Sequence, residues 1–336
     1  MKNIKNLPSP IGLSKEEILN TLLTEEYGHP PKRPTTVTAT VLESDETFCG
    51  GKTALTKIML KCNAEWGEYS FPIYYTCPRG KTNVPAFVHI NFRDLIPDKH
   101  QPTEEIIDNG FAVLTVCYKD ITSDDGDFTN GMAGILYPDG KRGPHDCGKI
   151  AMWAWAASVV MDYALTLPEL DKTRISVIGH SRLGKTALLA GALDERFYCA
   201  ISNDSGCSGA SISRENEGET IEVITRVFPF WFCEHYREYA DNEDALPFDQ
   251  HWLVAANVPH KVYVASAQAD EWACPENEYL SCIHAGEYYK FAGMKGFDPI
   301  ETGRFSHTGD VAYHVRPGGH FLSREDWGYF IKYLSL

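Results

Sequence analysis

The sequence is short of several things. No run approaches the ~20 consecutive apolar residues that a bilayer-spanning helix requires, so no helical membrane span is expected. Positive charge is scarce: 31 Lys and Arg stand against 46 Asp and Glu, a formal net charge of −15. Such a balance repels a polyphosphate backbone, and nucleic acid is not an expected partner. The ten cysteines (Cys49, Cys62, Cys77, Cys117, Cys147, Cys199, Cys207, Cys233, Cys274 and Cys282) form no C-x-x-C pair and no zinc-type spacing. They are expected to be mostly reduced core residues, and no metal site is read from them. The opening Met-Lys-Asn-Ile-Lys-Asn-Leu-Pro carries two lysines but no apolar h-region after them. A cytoplasmic protein is therefore expected, or a secreted one if a leader has been removed. No internal repeat, low-complexity tract or linker-like shift divides the chain.

What is present is ample core material, 43% apolar residues with 12% aromatic over 336 residues. Ser14 to Leu23 carries a helical pattern with Ser14 as cap and Glu17 three residues on, and Pro30, Pro31 and Pro34 follow. Residues 1–35 are read as an arm laid on the body, and 36–336 as a single domain. From Thr36 to Tyr75, three runs rich in Val, Thr, Ile and Tyr separated by Gly-containing turns predict an antiparallel opening to a sheet. Short apolar runs then begin at Ala86, Phe111, Ile175, Cys199 and Val262, with helical patterns such as Ile150 to Leu165 and Lys185 to Leu193 between them. Buried strands alternating with helices predict an α/β fold whose mostly parallel central sheet is covered on both faces. Insertions are expected at about 125 to 147 and 207 to 250.

The most informative segment is Gly179-His-Ser-Arg-Leu-Gly184-Lys185-Thr186, set between the strand at Ile175 and an Ala- and Leu-rich helix. A small residue before a serine lets the backbone turn sharply, and the helix N-terminus lies under developing negative charge. Ser181 is the leading nucleophile candidate, although the second glycine falls three residues after the serine rather than two. The same residues fit the formal phosphate-loop pattern G-x-x-x-x-G-K-[ST], so a nucleotide-binding reading competes. Against it, several strands precede this one, and no later strand supplies a magnesium-binding Asp with the usual partners.

The remaining parts of a serine hydrolase follow in the order acid, then histidine. The strand at Cys199 ends in Asp204 and the strand at Val262 leads to Asp270; active-site groups of parallel sheets gather at such carboxyl ends. His320 lies in Arg316-Pro-Gly-Gly-His320, a tight loop before the last helical pattern, Glu325 to Leu334, with His314 as a nearby rival.

These residues resemble the glucuronoyl esterase family, α/β-hydrolases that cleave esters of glucuronic acid. The resemblance runs from about Pro85 to the C-terminus. Its carriers are Gly179-His-Ser-Arg-Leu-Gly-Lys185, Asn203-Asp-Ser-Gly206, Phe230-Trp-Phe232, Leu246-Pro-Phe-Asp-Gln-His251, Asp270-Glu-Trp272 and Tyr313-His-Val-Arg-Pro-Gly-Gly-His320. The family's serine motif, G-x-S-R-x-G-K, accounts for both the displaced glycine and the phosphate-loop coincidence. The resemblance implies a three-layer α/β-hydrolase sandwich with Ser181 as nucleophile and His320 as base. Asp204 matches the acid after the next strand, where many members have Glu, and Asp270 a second acidic position used by some bacterial-type members; both stay open. Arg182 matches an arginine that helps hold the oxyanion. Lys185, Glu219 and Trp272 match positions that hold the uronate ring, although by residue type alone they would be a solvated helix lysine, a solvated loop glutamate and a core tryptophan. Fungal members carry cysteines where His180 and Phe321 stand, so that disulfide is absent and the bacterial type is the nearer likeness.

The resemblance thus implies a serine carboxylester hydrolase of the 4-O-methyl-glucuronoyl esterase type, acting on lignin-carbohydrate esters in plant biomass. Its partner would be a small or oligosaccharide substrate bearing a uronic acid ester, with no cofactor and no metal. An acetyl-carbohydrate (xylan) esterase, a phosphate-loop nucleotide-binding protein and a carbohydrate-binding pseudoenzyme are the alternatives.

Overall fold

The computed structural model describes residues 4–300 and 303–336; the first three residues of the expected arm lie outside them. The strands are β1 (Thr36–Asp45), β2 (Leu55–Ala64), β3 (Gly67–Thr76), β4 (Val84–Asn91), β5 (Ala112–Cys117), β6 (Leu170–His180), β7 (Cys199–Asn203), β8 (Lys261–Ala267), β9 (Phe305–Ser306) and β10 (Val311–Arg316). They form one sheet in the order β1-β2-β3-β5-β4-β6-β7-β8-β10-β9. The pairs from β1 to β5 are antiparallel, those from β5 through β4, β6, β7 and β8 to β10 are parallel, and β9 closes the far edge antiparallel to β10. The expected antiparallel opening and parallel centre are both present.

The sequence alternates within these strands in a way that builds two cores. On β7, β8 and β10, Ala200, Val262, Val264, Val311 and Tyr313 belong to one apolar cluster, while Ile201, Tyr263, Ala265 and Ala312 belong to another. Successive side chains of a strand point to opposite faces, so each face has its own core. The first is covered by the helices Lys149–Ala164, Arg182–Leu193 and Pro275–Phe291, and the second by Thr103–Asp108 and Arg324–Leu334. Helix Lys149–Ala164 is buried on nearly all sides, as an apolar helix at the centre of a large domain must be. At the other extreme β1 is exposed along almost its whole length, in keeping with its Thr-, Glu- and Ser-bearing sequence.

Among the elements that the sequence pattern does not mark are a long helix and a central strand. Helix Pro275–Phe291 buries Asn277, Glu278 and Ser281 beside Leu280, Cys282 and Ala285, so no clean apolar stripe marks it. Strand β10 carries His314, buried and hydrogen-bonded by its Nε2 to Asp326 Oδ1 at 2.8 Å. That polar residue interrupts the run that would have announced a strand. All ten cysteines are unpaired, and eight of them are buried. The arm is tied down: Ser14 caps its helix through a reciprocal pair with Glu17, and Ile18, Leu22 and Tyr27 are fully buried. Tyr27 donates its hydroxyl to Ser208 O at 2.7 Å, beneath the loop that follows β7.

Candidate active site

Four strands adjacent in the sheet, β6, β7, β8 and β10, deliver Ser181, Asp204, Asp270 and His320 from their carboxyl ends. The ladder continues past the strands and staples each site loop to the next. Ser181 N donates to Asn203 O at 2.8 Å, Asp204 N to Ala265 O at 2.7 Å, Gln268 N to Arg316 O at 2.8 Å and Ala269 N to Gly318 O at 2.9 Å. The site is therefore carried on an extension of the sheet rather than on free loops.

Ser181 sits at φ 59°, ψ −128°, between the last residue of β6 and the first of helix Arg182–Leu193. A non-glycine residue there is strained by about 1–3 kcal/mol, the kind of cost met where a nucleophile is thrust outward. Gly179 makes the turn possible: a Cβ on it would lie 2.0 Å from Leu183 O. The displaced Gly184 has its own cause, since a Cβ there would stand 3.1 Å from both Ser202 Oγ and Ser205 Cβ. The helix is pressed against the end of β7, and a glycine is needed where they meet.

His320 Nδ1–H donates to Asp270 Oδ2 at 2.6 Å; the histidine side chain is 43% exposed, whereas Asp270 is 4% exposed. Asp204 lies in the same cluster, its carboxylate, that of Asp270 and the His320 ring nitrogen all within 4.8 Å of one another. Its bonds run elsewhere, accepting from Phe321 N at 3.3 Å and Arg316 Nη2 at 3.4 Å. Burial, reinforced by the neighbouring Glu278, pushes Asp204 up to about 9 against the pull of Arg316. Of the two acids left open by the sequence, Asp270 is the one bonded to the imidazole. His314, the rival histidine, is buried under the sheet on Asp326 and Tyr263 Oη, away from the serine.

Behind His320 stands His180, with ring centroids 4.5 Å apart, and its Nδ1 meets Asn203 Oδ1 at 2.6 Å. Burial, together with the neighbouring His320 and His100, drives the His180 ring far below the usual imidazole range. It is therefore a neutral wall. His100 stacks between His180 (5.4 Å) and Phe321 (4.9 Å), so three rings pack side by side behind His320.

Ser181, Arg182, Lys185, Asp204, Glu219, Asp270, Trp272 and His320 all line one cavity of about 350 Å³, so every candidate is brought together. The three that residue type misjudges are inverted. Lys185 is buried with Nζ donating to Ser205 O and, at 2.6 Å, to Cys207 O. Burial lowers its ammonium, with Glu219 opposing, and burial raises Glu219, with Lys185 opposing. Trp272, by contrast, is 55% exposed on the rim. The phosphate-loop reading does not fit this geometry. Helix begins at Arg182, the Lys185 ammonium is taken by backbone carbonyls, and Thr186 Oγ1 donates back to Arg182 O at 2.9 Å.

Nothing in the residue pattern marks what holds Arg182. Its guanidinium pairs with Asp124 and lies 4.6 Å from the Trp231 ring centroid, with Phe228 and Phe92 at 5.5 and 5.6 Å. Phe228 and Trp231 stack in parallel at 3.9 Å. Asp124 also accepts from Trp231 Nε1 at 2.8 Å and Tyr118 Oη at 2.9 Å. Its loop is pinned by the buried Lys149, whose Nζ donates to Ser123 O and Asp127 O, each at 2.7 Å. An acid of this kind, far from the serine motif in sequence and just before an expected insertion, has no local signature.

The profile of the family described as glucuronyl esterase, fungi, matches residues 60–293. Among curated proteins, carbohydrate esterase MZ0003 from an unknown prokaryotic organism is 40% identical over 236 residues, 68% of this chain and 54% of that protein. The 4-O-methyl-glucuronoyl methylesterase of Podospora anserina is 28% identical over 308 residues, 87% of this chain and 59% of that protein. The chain thus spans little more than half the length of these two relatives. Among solved structures, a promiscuous esterase of carbohydrate esterase family 15 from a marine bacterial metagenome superposes with TM-score 0.87 at 29% identity, covering 98% of this chain and 96% of that one. The glucuronoyl esterase of Solibacter usitatus gives TM-score 0.86 at 28% identity, covering 98% and 97%. With the profile matching residues 60–293, most of this chain, and the α/β-hydrolase architecture shared over 98% of it, the chain belongs to the glucuronoyl esterase family.

Proposed function

We propose that the protein is a serine carboxylester hydrolase that cleaves esters of glucuronic acid. The observation that carries this reading is the convergence in one cavity of a strained serine, an Asp-bound histidine and a braced arginine. The names of its relatives, 4-O-methyl-glucuronoyl methylesterase among them, support the substrate class.

With Nδ1–H held by Asp270, the free Nε2 of His320 takes the proton as Ser181 Oγ attacks the C6 carbonyl. The resulting oxyanion meets the Arg182 N–H, which as the first of its helix has no intrahelical acceptor, and the positive end of that helix. His320 returns the proton to the departing alkoxide and leaves an acyl-enzyme. Water, activated by the same imidazole, then releases the uronic acid and restores Ser181. Arg182 contributes a fixed positive charge beside that anion, and Trp272 offers an aromatic rim to the sugar. Lys185 and Glu219 close the far side of the cavity. The test is hydrolysis of a benzyl or methyl glucuronate by the wild type and by Ser181→Ala, with an acetylated xylan in parallel. Full activity in Ser181→Ala overturns the serine mechanism, and a preference for the acetylated sugar overturns the substrate class.

We also propose a cytoplasmic location, supported by ten unpaired cysteines, a pattern typical of reducing compartments. Recovery of the native protein only from a secreted fraction of its source cells would contradict it.

A further inference from the structure

Arg316 ends β10, four residues before His320, and every arm of its guanidinium is engaged. Nε donates to Asp326 Oδ1 at 2.9 Å and Oδ2 at 2.7 Å. Nη1 donates to Pro317 O at 3.0 Å and Gly319 O at 3.2 Å. Nη2 donates to Gly319 O at 3.2 Å, to Phe321 O and to Asp204 Oδ2 at 3.4 Å. The loop 317–321 is thus folded around the guanidinium, with three of its carbonyls turned inward onto it, while His320 lines the cavity that Ser181 also lines. Asp326 is itself fixed, since it forms the reciprocal cap of the final helix with Ser323 and accepts from His314 Nε2. Arg316 and Asp326 are both buried.

Taking the esterase reading as its basis, we infer that Arg316, anchored by Asp326, is the positioning residue for His320. It is the internal template on which the histidine loop closes and which binds Asp204 to that loop. A planar fork with five fixed donors can satisfy three carbonyls and the side chains of Asp326 and Asp204 at once; a lysine presents one rotating ammonium and cannot. Beyond Gly318 O, which accepts from Ala269 N, and Phe321 N, which donates to Asp204 Oδ2, the loop has little of its own to hold it, because Pro317 has no N–H and Gly318 and Gly319 have no side chains. The imidazole must be held within a fraction of an ångström for proton transfer, and a displacement of about 1 Å can cost on the order of 100-fold in rate.

The experiment compares wild type, Arg316→Lys, Arg316→Ala and Asp326→Asn with Leu60→Ala, a core variant on β2 remote from the site, as the control for general destabilisation. Three quantities are read: kcat and KM on benzyl glucuronate, the labelling rate of Ser181 by a fluorophosphonate probe, and the downfield proton resonance of the His320–Asp270 bond, assigned by its loss in His320→Gln. Arg316→Lys is expected to lower kcat and labelling by about 10- to 100-fold with KM within about twofold, and to shift or broaden the resonance. Millimolar guanidinium is expected to restore part of the labelling rate of Arg316→Ala and to leave Leu60→Ala unchanged. If Arg316→Ala does not fold, Arg316→Lys and Asp326→Asn carry the comparison. Rates and resonance in Arg316→Lys no different from those of Leu60→Ala would overturn the inference. A wild type that neither labels nor hydrolyses, but whose resonance depends on Arg316, would remove the esterase reading and leave the positioning role standing.

Discussion

His320 and Asp270 meet at 2.6 Å, with the acid buried and the histidine side chain 43% exposed. A buried carboxylate facing a partly exposed imidazole fixes which nitrogen carries the proton and leaves the other free to work toward the cavity. Asp204, though in the same cluster, spends its bonds on Arg316 and on the backbone of the histidine loop. The two acids should therefore separate in a mutational comparison. Asp270→Asn is expected to lower kcat by on the order of 10²–10⁴-fold with a small change in KM. Asp204→Asn, which keeps the size and one acceptor, is expected to cost at most about tenfold. Steady-state kinetics on benzyl glucuronate decides it, and equal losses would mean that the two acids share the imidazole.

The turn that presents Ser181 should tolerate no side chain at Gly179. A Cβ there would sit 2.0 Å from Leu183 O, a backbone atom of the first helical turn that cannot swing away. Gly179→Ala is expected to lose at least about 3 kcal/mol of stability or fail to fold. At Gly184 the neighbours are 3.1–3.2 Å away. Gly184→Ala should fold with a loss of about 1–2 kcal/mol and a displaced end of β7. Thermal unfolding of both variants checks the difference.

The alternation of apolar runs and helical patterns made the parallel centre legible, because buried strands must be apolar on both faces. The turn at Gly179 to Gly184 was legible because it combines two glycines with a serine at a helix start. Helix Pro275–Phe291 and strand β10 escaped notice because their buried positions include Glu278 and His314, polar groups satisfied only by distant partners such as Ser266 and Asp326. Asp124 and Arg316 were hidden for the same reason. Their roles are hydrogen bonds to residues far away or to backbone carbonyls, and nothing in residue spacing records a carbonyl that turns inward. Trp272 was misjudged by type, since tryptophan is usually mostly buried and only the fold shows this one on a rim.

Asp124 is expected to act through Arg182. Asp124→Asn keeps an acceptor for Trp231 Nε1, replaces the oxygen facing Tyr118 Oη by an N–H donor, and removes the charge that fixes the guanidinium. A loosened guanidinium should lower kcat by about 10- to 100-fold, with KM nearly unchanged, because the charge it stabilises exists mainly in the transition state. An unchanged kcat would show that the aromatic box of Trp231, Phe228 and Phe92 holds Arg182 without help.

Glu26, from the arm, is fully buried, with Oε2 accepting from Gln250 Nε2 at 3.0 Å and Oε1 without a hydrogen-bond partner among the described residues. Burial pushes it up to about 8 from the ordinary 4.5. Between those two values the folded protein holds a proton that the unfolded chain has released. This group's contribution is thus fully present below about pH 4.5 and is lost as pH rises through about 8. Glu26→Gln, neutral at every pH, should lack that loss. The variant's melting temperature relative to wild type should therefore rise from pH 5 to about pH 8 and level off above it, by about 1–2 °C for each kcal/mol relieved. A difference that stays flat across this range would show that Glu26 is ionised in the fold.

Trp272 offers the cleanest separation of binding from stability. The residue is 55% exposed, so truncation gives up less buried area than at a core tryptophan. Its carbonyl, which accepts from Glu219 N at 3.0 Å, survives any side-chain change. Trp272→Ala should leave thermal stability within about 0.5 kcal/mol of wild type. A sugar ring resting on the indole face would gain about 0.5–1.5 kcal/mol beyond its area burial. Because that contact exists equally in the ground and transition states, its loss belongs in KM, which should rise by about 3- to 10-fold with kcat unchanged. If KM holds and stability falls instead, the tryptophan is a structural rim residue, and the sugar must be held by the buried side of the cavity alone.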